Sequence, residues 1–305
     1  MVEAAQGSTP DVFRSGFITL VGRPNSGKSS LVNAVVGAKV AITADVAQTT
    51  RHRFRAILDG QGFQLVLVDT PGIHKAQDAL GEELNTSALK ALEAVDAVAF
   101  LLDASKPFGR GDMWILAYLE KVKSPKLLIV TKTDLVDDQA VKQQIERASG
   151  HFDFDAVMSL SSLTGQGVEE FVQFVVGLLP EGPRWFPEGT RTDQDLSVLV
   201  AEFIREKVLY LTKDEVPHAV GVQVEELQYE EKNDLTRIEA IVYVERESQK
   251  GILIGKGGQQ IKKIGSLART DLEQLLNTRV YLDLRVKTRK GWRRDANQIK
   301  RFGYG

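Results

Sequence analysis

Short apolar runs separated by segments of helical periodicity fill roughly the first 180 of the 305 residues. Phe17 to Val21, Phe54 to Leu58, Phe63 to Val68, Val95 to Leu102, Lys126 to Val130 and Ala156 to Leu160 each have the length and apolar content of a buried strand. Between them lie helical patterns: Leu31, Val32, Val35 and Val36; Trp114, Leu116 and Leu119; and Val172, Val175, Val176 and Leu179. Buried strands alternating with helices predict a mostly parallel sheet with right-handed crossovers and a ligand site at the strands' carboxyl ends. Pro180, Gly182, Pro183, Pro187 and Gly189 then break the pattern. Beyond them a helix from about Ser197 to Leu211 precedes strands alternating at Val220, Val222 and Val224 and at Ile238, Ala240, Val242 and Val244. A glycine-rich stretch follows, then a helix with Ile261, Ile264, Ala268, Leu272 and Leu275 on one face, and a strand alternating at Val280, Leu282, Leu284 and Val286. The predicted organisation is an N-terminal tail over 1–14, an α/β domain over 15–180, a linker over 181–192 and an α+β domain over 193–305.

Composition narrows the chemistry. With no cysteine, disulfides, thiolate metal sites and cysteine nucleophiles are excluded. No apolar run reaches the length of a membrane span and the N-terminus lacks signal- or transit-peptide character, so a cytoplasmic protein is expected. The net charge of −2 is unevenly spread: from Lys250 onward there are 14 Lys and Arg against 4 Asp and Glu. That end is the candidate polyanion-binding surface. His52, His74, His151 and His218 are too scattered for a ligand set, and Glu225, Glu226, Glu230 and Glu231 fit a solvated face better than a metal site.

Gly22-Arg23-Pro24-Asn25-Ser26-Gly27-Lys28-Ser29 stands between the first strand and the first helix. That is the setting in which G-x-x-x-x-G-K-[ST] turns backbone N–H groups onto a polyphosphate; a chance glycine turn is the competing reading. Lys28 would reach the β- and γ-phosphates, and Ser29 would ligate Mg²⁺. Asp69-Thr70-Pro71-Gly72 ends another buried strand, where a second Mg²⁺-organising carboxylate belongs.

Together with Thr49-Thr50, Thr131-Lys132-Thr133-Asp134 and Ser161-Ser162, these motifs resemble a translation-factor-class GTPase in order and spacing. The resemblance implies GTP and GDP held by Gly22, Asn25, Ser26, Gly27, Lys28, Ser29, Ser30, Asp69, Thr70, Pro71, Gly72, Thr131, Lys132, Asp134, Ser161 and Ser162. It also implies Mg²⁺ at Ser29, Thr49, Thr50 and Asp69, and γ-phosphate chemistry at Lys28, Thr50 and Gly72. Asp134 would select guanine, and Lys132 would pack on the base. Two positions depart from the pattern: Thr131 stands where asparagine is usual, and Ile73 where Ras-like enzymes carry the glutamine that orients water. The resemblance also implies that Asn25 holds K⁺ against the phosphates; the competing reading is that it simply caps its own turn.

Gly255-Lys256-Gly257-Gly258 between helical segments has the Gly-x-x-Gly signature by which a KH domain clamps about four nucleotides; a glycine-rich helix connection is the competing reading. The glycines would let the backbone lie against phosphates, Ile252, Ile254 and Ile261 would floor the base site, and Lys256, Lys262 and Lys263 are further candidate RNA-binding residues. Trp292 and Phe302, among basic residues, would either stack bases or fold onto their own domain. A GTPase followed by a KH domain resembles the Era family of bacterial GTPases in small-subunit assembly, over about Phe17 to Tyr304. That resemblance implies binding to the 3′ end of small-subunit ribosomal RNA and to the subunit itself, a monomer, and peripheral contact with the inner membrane. The alternative is an RNA-binding scaffold with structural GTP and negligible hydrolysis.

Overall fold

The computed structural model describes residues 12–93 and 95–304. The first domain runs β1 (Arg14–Gly22), α1 (Lys28–Val36), β2 (Phe54–Gly60), β3 (Phe63–Asp69), α2 (Ala79–Lys90), β4 (Ala97–Asp103), α3 (Arg110–Leu119), β5 (Lys126–Thr131), α4 (Asp138–Ser149), β6 (Ala156–Ser159) and α5 (Val168–Leu178). The sheet order is β2-β3-β1-β4-β5-β6. Every neighbouring pair is parallel except β2 with β3. Only Gln61 and Gly62 separate those two strands, too few residues for a crossover, so they close as a hairpin. The chain leaves β1 for the β3 side and later returns to β4 on its other flank, which opens the ligand crevice at the carboxyl end of β1. Apolar layers cover both faces: Ile18, Leu20, Leu31 and Phe171 belong to one, and Val21, Phe100, Ile115 and Leu128 to the other.

Residues 181–192 cross no gap. Arg14 bridges to Glu181, and the buried amide of Gln64 accepts from the N–H groups of Trp185 and Phe186 while donating to the Phe186 carbonyl. Asp59 accepts from the Gly189 N–H, and Ala56 bridges to Thr192. The segment expected as a linker therefore lies along the hairpin edge of the sheet, covering strand groups that would otherwise be free to pair elsewhere. Arg14, placed with the N-terminal tail from sequence, opens β1; residues 1–11 of that tail lie outside the described residues.

The second domain comprises α6 (Leu196–Leu211), α7 (Val216–Ala219), β7 (Gly221–Glu230), β8 (Leu235–Val244), α8 (Glu247–Ile254), α9 (Gln259–Leu276), β9 (Arg279–Thr288) and α10 (Ala296–Arg301). Its sheet is β7-β8-β9, antiparallel then parallel. Helices α6, α8 and α9 bury Phe203, Leu253, Ile264, Ala268 and Leu272 against Val222, Ile238 and Val242.

The C-terminal segment packs between the domains. Trp292 is fully buried; it, Phe302 and Tyr304 pack with Leu80 and Leu84 of α2 and with Ile241 and Tyr243 of β8. The Trp292 indole N–H donates to the Ala219 carbonyl at 2.9 Å, and Arg293 pairs with Asp78, the N-cap of α2. The stacking role considered for Trp292 and Phe302 is thus overturned, because their rings are consumed by packing. They also do more than fold on their own domain. Trp292→Ala should lower unfolding free energy by about 3–5 kcal/mol. Chemical denaturation should show this as a lower midpoint and as separation of the two domains' transitions; an unchanged single transition would contradict it.

Candidate functional site

The turn from β1 into α1 is built around its glycines. A Cβ on Gly22 would stand 2.5 Å from Ser26 Oγ and 2.6 Å from the Leu101 carbonyl, and Gly27 caps α1 in a left-handed conformation at φ 92°. The turn borders a cavity of about 480 Å³ shared by Lys28, Ser29, Thr50, Gly72 and Lys132. Lys28 Nζ curls inward, donating to the Arg23 carbonyl at 3.0 Å and the Gly22 carbonyl at 3.2 Å. Burial pushes its ammonium down to about 8, an effect that Asp69 opposes and Lys132 reinforces.

Ser29 Oγ lies 2.7 Å from both Asp69 Oδ2, to which it donates, and Thr50 Oγ1. Burial raises Asp69 to about 6 despite Lys28 and the bonds from Ser29 and Thr70. Its other oxygen, Oδ1, is buried without a side-chain or backbone partner among the described residues. Three oxygen donors from separate segments around an unsatisfied carboxylate oxygen fit a hard divalent cation such as Mg²⁺. Thr49 does not join them: its hydroxyl donates to the Val46 carbonyl at 2.5 Å inside its own loop. The metal-ligand expectation for Thr49 is corrected on that ground. Thr70 likewise spends its hydroxyl on the Leu20 carbonyl, and Pro71 beside it is buried. Gly72 packs on the phosphate loop, where a Cβ would come within 2.6 Å of Pro24.

At the expected base-binding residues, Ser161 Oγ donates to Asp134 Oδ1 at 2.5 Å, which fixes the carboxylate's rotamer. Lys132, at φ 59°, lies against the cavity with its ammonium 2.8 Å from Asp103. Asn25 also borders the cavity, at φ 64°. Ser30 and Ser162 flank an adjoining recess with Leu163.

In the second domain, Gly255 ends α8 and Gly258 caps α9; both, with Gly257, adopt positive φ. A Cβ on Gly257 would meet nothing within 4 Å, so the loop is open to an incoming backbone. Lys256, Lys262 and Lys263 are exposed beside it and Ile252 is half exposed, whereas Ile254 and Ile261 are partly buried, Ile261 against the core. No group of three or more His, Cys, Asp or Glu side chains among the described residues could hold a metal.

Residues 17–132 match the 50S ribosome-binding GTPase family, and residues 215–293 match the KH domain family. A curated GTPase Era from Staphylococcus epidermidis is 42% identical over 95% of this chain and 97% of its own length. The chain belongs to the Era family of GTPases. A solved Era in complex with MgGDPNP and nucleotides 1506–1542 of 16S ribosomal RNA superposes with a TM-score of 0.93 at 34% identity, covering 96% of this chain and 99% of that one. A variant of Aquifex aeolicus Era bound to GDP·AlF4⁻ does so at 0.92 and 34%, covering 96% and 100%.

Both departures from the GTPase pattern have a structural answer in this Era-family chain. Thr131 is buried and its hydroxyl donates to the Ser26 carbonyl at 2.8 Å, so the base loop stays tied to the phosphate loop without asparagine. Ile73 is 1% exposed and packs in the core with Val21 and Ala88, so its side chain cannot reach the cavity. Two further neighbours of the site escaped sequence reasoning. Tyr210 of α6 borders the nucleotide cavity from the second domain. Arg205, also on α6 and fully buried, donates to the Thr49 carbonyl and pairs with Glu202. Neither carries a local signal, since each lies more than 150 residues from the loop it meets.

Proposed function

We propose that this protein is a GTP-binding and GTP-hydrolysing switch that binds the 3′ end of small-subunit ribosomal RNA through its KH domain and acts in small-subunit assembly. The observation that carries this reading is the grip of the second domain on the loop beside the phosphates. Arg205 holds the carbonyl one residue before Thr50, and Lys39 pairs with Glu206 and Asp271 of α6 and α9. A loop whose ends answer to different ligands is what couples two binding events. Ser29, Thr50 and Asp69 would hold Mg²⁺, which when bound offsets charge on the β- and γ-oxygens. Lys28 and the backbone N–H groups of the phosphate loop would orient the polyphosphate, and Asp134, steadied by Ser161, would accept from the guanine edge.

The test is a pair of reciprocal variants. Asp134→Asn replaces an acceptor with an amide and should shift preference from guanosine to xanthosine triphosphate while leaving RNA binding intact. Gly257→Asp places a carboxylate at φ 60°, a conformation aspartate tolerates, so the loop should survive while losing phosphate affinity. It should abolish RNA binding and spare nucleotide binding. Unchanged guanine preference or unchanged RNA affinity would remove the corresponding half of the reading. Wild-type RNA affinity should also fall steeply as salt is raised.

The buried Ile73 favours one second reading, a scaffold that holds GTP structurally; single-turnover phosphate release from bound GTP separates the two. For the rate itself we propose K⁺ held by Asn25 against the phosphates, supplying charge that an arginine finger supplies elsewhere. Turnover should be faster in K⁺ than in Na⁺, with the difference lost in Asn25→Ala. Equal rates at matched ionic strength would reject this.

We further propose a cytoplasmic monomer. No helix among the described residues is long and apolar enough to cross a membrane. The peripheral membrane contact implied by the family would rest on exposed Lys290, Lys300 and Arg301. Flotation of the protein with anionic liposomes, in the absence of RNA, reads that contact, and no flotation rejects it.

A further inference from the structure

We propose that Gln48 orients the attacking water in GTP hydrolysis and that His74 is its positioning residue, a step that rests on the GTPase reading above. Because Ile73 is buried in the core, the position that carries glutamine in Ras-like enzymes leaves the cavity wall without a water-directing side chain. Gln48 fills that wall from the opposite loop. It borders the same cavity as Lys28, Thr50 and Gly72, at φ 62°, a left-handed conformation uncommon for glutamine.

The hydrogen bonds around His74 fix which way the Gln48 amide faces. His74 Nδ1 lies 2.9 Å from the Gly72 carbonyl, which can only accept, so Nδ1 carries the hydrogen of the neutral ring. Nε2 is then an acceptor, and the group 3.0 Å from it must be the Gln48 amide NH₂. The tautomer is assigned from this network. The amide oxygen Oε1 is left buried with no partner among the described residues. Gln48 borders the cavity, and an unpaired acceptor on it takes a water once the loop shifts enough to admit one. His74 is held in turn: its N–H donates to Asn85 Oδ1 at 3.2 Å, and Asn85 Nδ2 donates back to its carbonyl at 2.7 Å, so α2 anchors the pair.

In the step itself, the water held by Gln48 Oε1 attacks the γ-phosphorus and the bond to the β–γ bridging oxygen breaks. The water's proton passes to a phosphate oxygen, and GDP leaves with dihydrogen phosphate. No other reactant is needed.

The experiment compares single-turnover hydrolysis with affinities for GDPNP and for GDP·AlF4⁻, the latter mimicking the in-line transition state. Gln48→Ala should slow hydrolysis about 10²-fold. Its GDP·AlF4⁻ affinity should fall in parallel, with GDPNP affinity near wild type. His74→Ala should move the same two readouts in the same direction. His74→Gln, which restores an acceptor within reach of the Gln48 amide, should recover most of the loss. The double alanine variant should be no slower than Gln48→Ala. If Gln48 only braces the loops, GDPNP and GDP·AlF4⁻ affinities fall together, and that result, or a wild-type rate in Gln48→Ala, overturns the inference. A wild-type protein that binds GTP without hydrolysing it overturns the GTPase reading instead.

Discussion

The buried guanidinium of Arg51 is the constraint on which the two-domain arrangement depends. It donates to the Val220 carbonyl at 2.5 Å and the His218 carbonyl at 3.3 Å, where α7 gives way to β7, with the rings of Trp292 and Tyr304 within 6 Å. Burial, and then the second cation at Arg205, push Arg51 down to about 10, so it stays charged at neutral pH in a place that disfavours charge. A cation so placed is tolerable only while its carbonyl partners are in register, because removing them leaves an uncompensated buried charge. Arg51 therefore makes domain contact close to all-or-none.

From Arg51 the order of the nucleotide site follows. Thr49 is fixed by Arg205 on its carbonyl side and by its own hydroxyl within the loop, and Thr50 next to it meets Ser29. On the far side of the loop, Ile42 packs in the core of the second domain. The phosphate loop, the candidate cation ligands and the second domain thus meet at one stretch, Ile42 to Arg51, that belongs to neither core alone.

Features encoded locally are legible in the sequence. The strands of the first domain, the phosphate loop and the Gly255–Gly258 loop depend on periodicity and torsion, which neighbouring residues determine. Features that depend on distant partners are not legible in this way. Trp292 and Phe302 have the composition of an RNA-stacking tail, and only the presence of Leu80 and Tyr243 opposite them turns them into an interdomain core. Thr49 and Thr50 are identical in type, and only the folding of the loop decides which hydroxyl reaches Ser29. The contact of Gln48 with His74 joins two loops whose pairing no spacing rule anticipates.

Pairing of residues 181–192 along the β2–β3 hairpin leaves almost no free tether between the domains. Asp193 still accepts from the Arg55 N–H, and the Gln194 amide still donates to the Val40 carbonyl, before α6 begins at Leu196. A connection this short keeps the second domain at a high effective concentration beside the first, so every separation is followed by rapid return. Polar contacts such as those of Lys39 with Glu206 and Asp271 can then add to the apolar core around Trp292 even where they would be too weak to hold two independent proteins together. Were the two domains to part, neither would lose its partner.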